Sequence, residues 1–411
     1  MYNEILNRGQ GFTVDESMKF FADPYQQLFQ IDGEAGTGKS TVLKHIIARN
    51  RIPLERILAM SYTGAAAVIL KLSGFPNAKT LHSGLYHPVD TYMTDKQTNQ
   101  IIYNTYYNRP KTTTGFTPKI KSNFDNIDLM IIDEAPTVPM SMRKDIMKHG
   151  IKVIASGDLF QLPPLFEKPA FLTDGVVHHL TEPMRQGTNS NILYLARRAR
   201  RGLPINYGYY GDCYVTDEDD LTDTMIMRSD IVICGTNKKR DEINKRVREI
   251  KGTCNSELPL RGERVVCRKN NYKTVIDGIN LANGLIGTVM NNPGVDNYDN
   301  NTFKIDFQPL LFPGIFSDLR CDYKYFMAPY SEKEKIKQDK YSLGEKFEFS
   351  YASTCHLAQG ASLANGIYIE EYMSPELNDR LNYVGISRFR QGMIYIKRKI
   401  RLYNCGSWDR G

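Results

Sequence analysis

Short apolar runs alternate with mixed polar and apolar segments along most of the chain. Residues 41–48 follow the first run and a glycine-rich loop, and the spacing of their apolar side chains predicts a helix. Strands that alternate with helices usually pair in parallel, because each crossover helix returns the chain to the same end of the sheet. The pattern therefore predicts an α/β protein, with buried strands at residues 28–31, 57–60, 129–132, 153–155 and 231–234.

Two regions interrupt this alternation. Residues 86–124 are polar and rich in tyrosine and threonine, and residues 262–349 contain short β-like runs, asparagine-rich turns and a lysine–glutamate stretch from Ser331. Neither region has the strand–helix period of its surroundings. We expect both to be insertions into the α/β frame.

Composition changes this picture little. The 411 residues are 41% hydrophobic and 24% charged, which is typical of a globular protein of two or three domains. The net charge of +7 is compatible with a polyanionic partner. The seven cysteines are scattered, with no C-x-x-C pair, so they predict neither a zinc ribbon nor a disulfide framework and favour a reducing compartment. We find no signal-peptide pattern and no membrane-length apolar stretch, and we expect a cytoplasmic protein.

A phosphate-binding loop is the strongest motif. Residues 33–40 fit G-x-x-x-x-G-K-[ST] between a predicted strand and a predicted helix, which is the context this motif requires. Lys39 is expected to reach the β- and γ-phosphates of ATP, and the Ser40 hydroxyl to bind Mg²⁺. The full set of expected phosphate contacts is Gly36, Thr37, Gly38, Lys39, Ser40 and Thr41.

Two further strand ends carry polar side chains suited to hydrolysis. Asp133 at the tip of one strand suits the Mg²⁺ shell, and Glu134 suits activation of the attacking water. Gln161 follows another strand and could hydrogen-bond the γ-phosphate or that water. The transferred phosphoryl group also needs cations, and Arg185 and Arg388 are the candidates, although an isolated arginine is usually a surface charge.

The order of the motifs resembles that of superfamily 1 helicases, and within them the RecD/Dda/Pif group, which moves 5′ to 3′. The resemblance covers essentially the whole chain and is specific as a set. In addition to the phosphate loop and Asp133–Glu134, the matching segments are residues 61–67, 80–83, 157–164, 185–186, 236–237, 354–360 and 383–388. The short segment between Glu134 and Gly157 favours a compact, phage-type Dda-like member.

The resemblance implies two RecA-like domains that bind ATP between them. The expected bounds are residues 1–178 for the first, with a β-hairpin pin inserted at about 85–124. The second is expected at residues 179–411, with an SH3-like β insertion at about 262–349. Tyr103, Tyr106 and Tyr107, or Tyr86 and His87, would supply the strand-splitting pin or, equally, the core of an ordinary hairpin.

Residue roles also carry over from the resemblance. Gln10 would read the adenine edge, the alternative being a frayed N-terminus, and Gln359 and Gly360 would lie near the nucleotide. Cys355 and Leu357–Ala358, beside the expected DNA contacts of Thr354 and His356, depart from the common pattern of the family. The expected nucleic-acid contacts are Thr63, Gly64, Thr80, His82, Asn237, Thr354 and His356.

The implied function is an ATP-dependent DNA helicase that uses ATP and Mg²⁺. Its expected partners are single-stranded DNA and forked or 5′-tailed duplexes, together with replication or single-strand-binding proteins. We expect a monomer without membrane attachment, acting in the host cytoplasm if the protein is of phage origin or in the nucleus if it comes from a eukaryotic virus. The alternatives are a strand-stimulated ATPase that displaces bound proteins, and an RNA helicase of the same superfamily.

Overall fold

The computed structural model describes residues 5–92, 94–95, 98, 100–101, 103–104, 109–110, 112–164, 166–182, 184, 190–295, 301–338 and 344–399. By its contacts the chain divides into two units. The first comprises Met1–Thr188 and Arg248–Tyr351, and the second comprises Asn189–Val247 and Ala352–Gly411. Within the described ranges, no helix combines the length and apolar character needed to cross a lipid bilayer.

The chain begins with a parallel sheet covered by helices on both faces. The strands of this sheet run in the order β10-β1-β9-β8-β2-β3, and every neighbouring pair is parallel. The elements are α1 (Arg8–Ala22), β1 (Leu28–Gly33), α2 (Lys39–Arg49), β2 (Ile57–Ser61), α3 (Gly64–Leu72), β3 (Lys79–Thr80), α4 (Leu81–Leu85), β4 (Tyr86–Tyr92), β5 (Tyr103–Asn104), β6 (Arg109–Pro110), β7 (Thr112–Pro118), β8 (Leu129–Asp133), α5 (Met140–Met147), β9 (Lys152–Gly157) and β10 (Val177–Leu180).

Alternate side chains of these strands pack into two separate cores. In β8, Leu129 and Ile131 belong to the core that contains the apolar residues of α1 and α2, whereas Met130 and Ile132 belong to the core with α4 and α5. This is the two-residue period of a strand buried on both faces. It explains why the sequence shows continuous apolar runs there rather than alternation.

The first insertion is an antiparallel hairpin. Strands β4 and β7 pair from Tyr86 opposite Pro118 to Tyr92 opposite Thr112, and β5 pairs with β6. Tyr106 and Tyr107 lie outside the described residues, and only the backbone of Tyr103 is described.

The next elements start the second unit. They are α6 (Asn191–Arg200), β11 (Gly208–Tyr210), β12 (Cys213–Asp217), α7 (Asp223–Arg228), β13 (Val232–Cys234) and α8 (Asn237–Ile250). The helix α8 begins directly after β13, so its first residues lie at the carboxyl end of a strand.

The second insertion is a small antiparallel β module. Its main sheet runs in the order β18-β19-β17-β14-β21, with β20 paired to β19. The elements are β14 (Arg264–Cys267), β15 (Asn271–Ile276), β16 (Ile279–Leu281), β17 (Ile286–Val289), β18 (Gly294–Val295), β19 (Thr302–Pro309), β20 (Phe316–Asp322), α9 (Tyr323–Met327), α10 (Tyr330–Gln338) and β21 (Phe347–Phe349). The hydrophobic core of this module includes Val68 of α3, so the module packs against the helix that follows β2 of the first sheet.

The remaining elements complete the second sheet, and they are β22 (Ala352–Thr354), β23 (Leu363–Ile369), α11 (Pro375–Ile386) and β24 (Phe389–Lys397). The strand order is β11-β12-β24-β23-β13-β22, with only the β11–β12 pair antiparallel. The predicted α/β class with two parallel sheets and two β insertions is confirmed. Because β10 spans the expected boundary at residue 178 and belongs to the first sheet, we propose that the first RecA-like domain ends after Leu180.

Candidate nucleotide and nucleic-acid sites

The phosphate loop is held in shape by its own residues. Gly36 and Gly38 have φ values of 85° and 80°, a left-handed conformation that glycine adopts without strain. The Lys39 ammonium donates to the carbonyl oxygens of Gly33 at 2.7 Å and Glu34 at 3.2 Å. The loop therefore already has the curled conformation in which backbone N–H groups can surround phosphate oxygens at the start of α2.

Gln10 lies against this loop rather than at a frayed end. It is buried in the first turn of α1, where it forms a capping box with Asn7. Its side-chain amide donates to the carbonyl oxygen of Thr37 at 3.0 Å and accepts from the Asn7 N–H at 3.1 Å. The contact with the loop is established, while an adenine contact of Gln10 stays a prediction.

Asp133 and Glu134 lie at the end of β8, where burial and their mutual repulsion disfavour the ionised form of Asp133. Burial, and next the charge of Glu134, raise the pKa of Asp133 to about 7, while the Lys39 ammonium acts in the opposite direction. Glu134 has a left-handed backbone, with φ 51°, and its buried Oε2 has no hydrogen-bond partner among the described residues. Such a carboxylate pair is costly without a cation or a bound water.

The loop after β9 carries Gln161, which is buried. The Leu159 N–H in this loop donates to Asp32 Oδ1 at 2.9 Å, and the other oxygen of Asp32 lies 3.1 Å from His179 Nδ1. Asp32 was not among the site residues predicted from the sequence. The available signal was an acidic residue inside a mostly apolar strand, directly before the phosphate loop.

These residues fit a magnesium–nucleotide complex. Asp133 and the exposed Ser40 hydroxyl are hard oxygen donors of the kind Mg²⁺ prefers, and Mg²⁺ typically keeps several of its ligands as water or phosphate oxygens. A cation beside Asp133 would also offset the cost of burying that carboxylate. The part of the chain that the structure describes contains no cluster of three His, Cys, Asp or Glu side chains that could hold a metal alone.

Thr63 and Gly64 lie at the start of α3, where Thr63 caps the helix. Gly64 is buried, and a Cβ there would collide with Asn270 Oδ1 and the backbone of Asn283 in the β module. The Ala65 N–H also donates to the Asn283 carbonyl oxygen at 2.9 Å. The missing side chain of Gly64 is thus explained by packing within the first unit, and its expected nucleic-acid contact gains no support.

Thr80 is the N-cap of α4, and its hydroxyl contacts both α4 and the β module. Its hydroxyl accepts from the Ser83 N–H at 3.2 Å and lies 3.2 Å from the hydroxyl of Tyr272 in the β module. Tyr272, which sequence analysis missed, is 53% exposed. The two residues line a cavity of about 350 Å³ that also contains Lys71 and Lys79.

Aromatic rings form a continuous group beside this cavity. The His82 ring lies 6.1 Å from Tyr62, 5.9 Å from Tyr86 and 5.2 Å from Phe116, measured between centroids. Burial lowers the pKa of His82, which favours the neutral form of the ring. Tyr62 and Phe116 are exposed and offer ring faces, whereas the Tyr86 hydroxyl donates to Asp145 at 2.9 Å and anchors the hairpin to α5.

In the second unit, the expected contacts with single-stranded DNA come after two neighbouring β-strands, β13 and β22. Asn237 begins α8 after β13 and is partly exposed. Thr354 ends β22; its hydroxyl accepts from the Leu357 N–H at 3.4 Å, and the residue is buried. His356 is half-buried, which lowers its pKa, and Gly360 has a left-handed φ of 76°. The β13–β22 pairing brings the Asn237 and Thr354 loops to one edge of the sheet.

Arg388 follows α11 and is buried in its own unit. Its guanidinium donates to the carbonyl oxygens of Val384 and Ala361 and to the Ser387 hydroxyl. It therefore caps the carboxyl end of α11, where a cation is favoured. Its role toward phosphate stays a prediction, as does that of Gln359. Arg185 lies outside the described residues.

Glu371 is a third residue that the sequence patterns did not single out. It follows β23, and its carboxylate accepts three hydrogen bonds from the loop before Asn237. The sequence pattern, an apolar run ending in Glu370–Glu371, is the same as the one that singled out Asp133–Glu134.

Part of the chain is similar in sequence to known proteins. Residues 22–167 match the family of AAA domains. The chain is 29% identical over 188 residues to the DNA replication ATP-dependent helicase/nuclease DNA2 of Saccharomyces cerevisiae, covering 43% of this chain and 12% of the relative. It is 29% identical over 147 residues to the ATP-dependent DNA helicase PIF7 of Trypanosoma brucei brucei, covering 33% and 13%. The chain thus spans only about an eighth of the length of these relatives.

Solved structures of Pif1 helicases have the same fold over almost the whole chain. A structure of two coordinating Pif1 helicases at forked double-stranded DNA matches with a TM-score of 0.57 and 19% identity, covering 95% of this chain and 92% of the other. Pif1 from Bacteroides with ADP-AlF3 and single-stranded DNA matches with 0.56 and 18%, covering 96% and 92%. Pif1 from Candida albicans matches with 0.56 and 16%, covering 96% and 95%. The resemblance to the RecD/Dda/Pif group is confirmed at the level of the fold, and the phage-type assignment stays a prediction.

Proposed function

We propose that this chain, which has the fold of the Pif1 helicases, is an ATP-dependent DNA helicase that moves 5′ to 3′ along single-stranded DNA and unwinds duplexes. The phosphate loop carries the proposal. Its left-handed glycines and the Lys39 contacts lie on the sheet that also carries Asp133, Glu134 and Gln161 at the ends of β8 and β9. Parallel strands present their carboxyl ends at one edge, so these groups act on one substrate.

Each group has a distinct part in the proposed hydrolysis. Lys39 neutralises the β- and γ-phosphates, Glu134 accepts a proton from the attacking water, and Gln161 orients that water. Bound Mg²⁺, held by Ser40 and Asp133, would neutralise charge that develops between the phosphates. Arg388 and Arg185 are the proposed cations for the transferred phosphoryl group.

The proposed track is single-stranded DNA, with forked or 5′-tailed duplexes as substrates. Support comes from the exposed rings of Tyr62 and Phe116 beside His82, since bases stack on aromatic side chains with little sequence preference. Lysines near Thr80 add the positive charge that a phosphate backbone requires, so binding should weaken steeply with salt. We further propose that the protein acts as a monomer in the cytoplasm.

Strand displacement on matched 5′-tailed and 3′-tailed DNA duplexes tests this proposal. We expect ATP-dependent displacement of the 5′-tailed duplex alone. Displacement of only the 3′-tailed duplex would overturn the direction. ATP hydrolysis stimulated by single-stranded DNA without any displacement would overturn the unwinding activity in favour of an ATPase that removes bound proteins. Stronger stimulation by RNA than by DNA would favour an RNA helicase.

A further inference from the structure

The loop between β13 and α8 gives all its donors to one carboxylate. Glu371 Oε2 accepts from the Gly235 N–H at 2.7 Å and the Thr236 N–H at 2.9 Å, and Oε1 accepts from the Thr236 hydroxyl at 2.8 Å. The Thr236 hydroxyl oxygen also accepts from the Lys239 N–H at 3.1 Å, and this hydrogen bond caps the start of α8. One side chain therefore fixes two successive peptide groups and the helix cap.

The carboxylate lies against two backbone N–H groups that precede α8. Backbone N–H groups before a helix form an anion-binding site, and here that site is filled from within the protein. The next residue, Asn237, begins α8 and is partly exposed. Because Gly235 and Thr236 already donate to Glu371, Asn237 is the residue of this segment that we expect to contact nucleic acid. The position of Asn237 depends on the Glu371 carboxylate.

The end of β23 is itself clamped. Glu370 Oε1 accepts from Asn382 Nδ2 at 3.1 Å, and its other oxygen accepts from the Arg398 N–H at 3.2 Å. Asn382 in turn accepts from the Tyr368 hydroxyl at 2.7 Å. These bonds fix the backbone from which Glu371 extends, so its carboxylate is a rigid support rather than a mobile surface charge.

We propose that Glu371 is a positioning residue for strand binding: it holds the Gly235–Thr236 loop so that Asn237 meets the backbone of single-stranded DNA. This inference rests on the proposed function and deepens it. A carboxylate beside a polyanion should by itself weaken binding through charge repulsion. The positioning role predicts the opposite, namely that loss of the Glu371 charge weakens DNA binding.

The test is Glu371→Gln, which keeps the size of the side chain and removes its charge. We expect the dissociation constant for a single-stranded oligonucleotide to rise about tenfold, because charge-assisted bonds that shape the loop are lost. ATP hydrolysis without DNA should keep its KM and kcat. Unchanged or tighter DNA binding would overturn the proposal, since simple removal of a repelling charge has that sign.

Glu376→Gln is the matched control, because Glu376 is exposed and lies five residues further along. It should leave DNA binding and its salt dependence at the wild-type level. Thr236→Val, which removes one of the three bonds, should give an intermediate loss of affinity, and thermal melts of all variants exclude unfolding as the cause. A loss as large in Glu376→Gln as in Glu371→Gln would overturn the proposal.

A double-mutant cycle with Asn237→Ala separates positioning from direct contact. If Glu371 acts through Asn237, then Glu371→Gln should cause almost no further loss of DNA affinity in the Asn237→Ala background. Fully additive losses would contradict this. A wild-type protein that binds no single-stranded DNA would overturn the proposed function itself, whereas wild-type binding with an inert Glu371→Gln would overturn only the positioning role.

Discussion

Each of the two large sheets has a pair of adjacent acids at the end of a strand in an apolar run, and the two pairs can be compared. Asp133–Glu134 ends β8 of the first sheet, and Glu370–Glu371 follows β23 of the second. Both pairs come after apolar runs and look equivalent in the sequence. Their surroundings in the structure are opposite.

The difference is in how far their oxygens are satisfied. Glu370 and Glu371 together accept five hydrogen bonds from backbone and side-chain donors. In contrast, Asp133 is partly buried with a raised pKa, and Glu134 has a buried oxygen without a partner among the described residues. A satisfied carboxylate stabilises a loop, whereas an unsatisfied one retains capacity for a cation, a water or a proton.

Glu134→Gln should have the largest effect. If Glu134 accepts the proton of the attacking water, turnover should fall by about 100- to 10,000-fold. ATP binding should persist, because the amide has the same size and the phosphate loop is untouched. Steady-state ATP hydrolysis, together with equilibrium nucleotide binding, measures the two quantities.

Glu370→Gln is the matched change in the other pair and should leave turnover close to wild type. Comparable losses in both variants would break the distinction between the pairs. Retained turnover in Glu134→Gln would remove Glu134 from the chemistry.

The same carboxylate-to-amide change should alter stability with opposite signs at the two sites. Glu371→Gln should destabilise by about 1–2 kcal/mol, because charge-assisted bonds are lost. Asp133→Asn should stabilise the protein without Mg²⁺ at pH 8, by about 2–4 kcal/mol, because it removes a buried charge.

The pH dependence of the Asp133 effect follows from its pKa. The folded-state pKa of about 7 lies above the ordinary value of 3.8, so the wild type loses stability as the pH rises between these values. The advantage of Asp133→Asn should therefore be small near pH 4 and level off above about pH 7. Denaturant titrations in EDTA measure it, and an advantage that is constant with pH would contradict the assignment.

The sequence predicts those parts of the molecule that short stretches of chain determine. The parallel strands follow from apolar runs, and the phosphate loop follows from its glycines and from Lys39, whose partners lie five and six residues away. The support of the Asn237 loop lies 135 and 136 residues away at Glu371, so no local motif contains it. The contact between Asp32 and Leu159 spans 127 residues and was missed for the same reason.

Gly64 and Arg388 show a second limit of motif reading. A motif specifies which residue type occurs at a position, but it does not say whether packing or ligand binding requires that residue. The close approach of Asn283 leaves no room for a side chain at Gly64, and Arg388 caps α11, so each residue has a packing role besides the contact that the resemblance implies. Only the packing of distant segments distinguishes these roles.

Gly157→Ala should disturb the first acid pair through packing. A Cβ at Gly157 would collide with the Pro136 ring and press on the Ala135 N–H, in the turn that directly follows Glu134. We expect a loss of about 1–3 kcal/mol in unfolding free energy, as for other overpacked sites, and a lower kcat because Glu134 is displaced. Gly11→Ala in α1 is the control, since a Cβ there meets nothing within 4 Å. Wild-type kcat in Gly157→Ala would show that the turn tolerates displacement.

Gly235→Ala makes the corresponding change beside the second pair and should have the smallest effect. The added Cβ would lie 3.1 Å from Glu371 Cβ and 3.2 Å from its Oε2, a tight contact that a shift of a few tenths of an ångström relieves. We expect stability to fall by less than about 1 kcal/mol, with a few-fold weaker binding of single-stranded DNA in an anisotropy titration. Because the strain arises against Cβ and Oε2 of Glu371, Gly235→Ala should add little in a Glu371→Gly background, which lacks both atoms. A loss of stability as large as that of Gly157→Ala would mean that rigid packing, rather than hydrogen bonding, fixes both acid pairs.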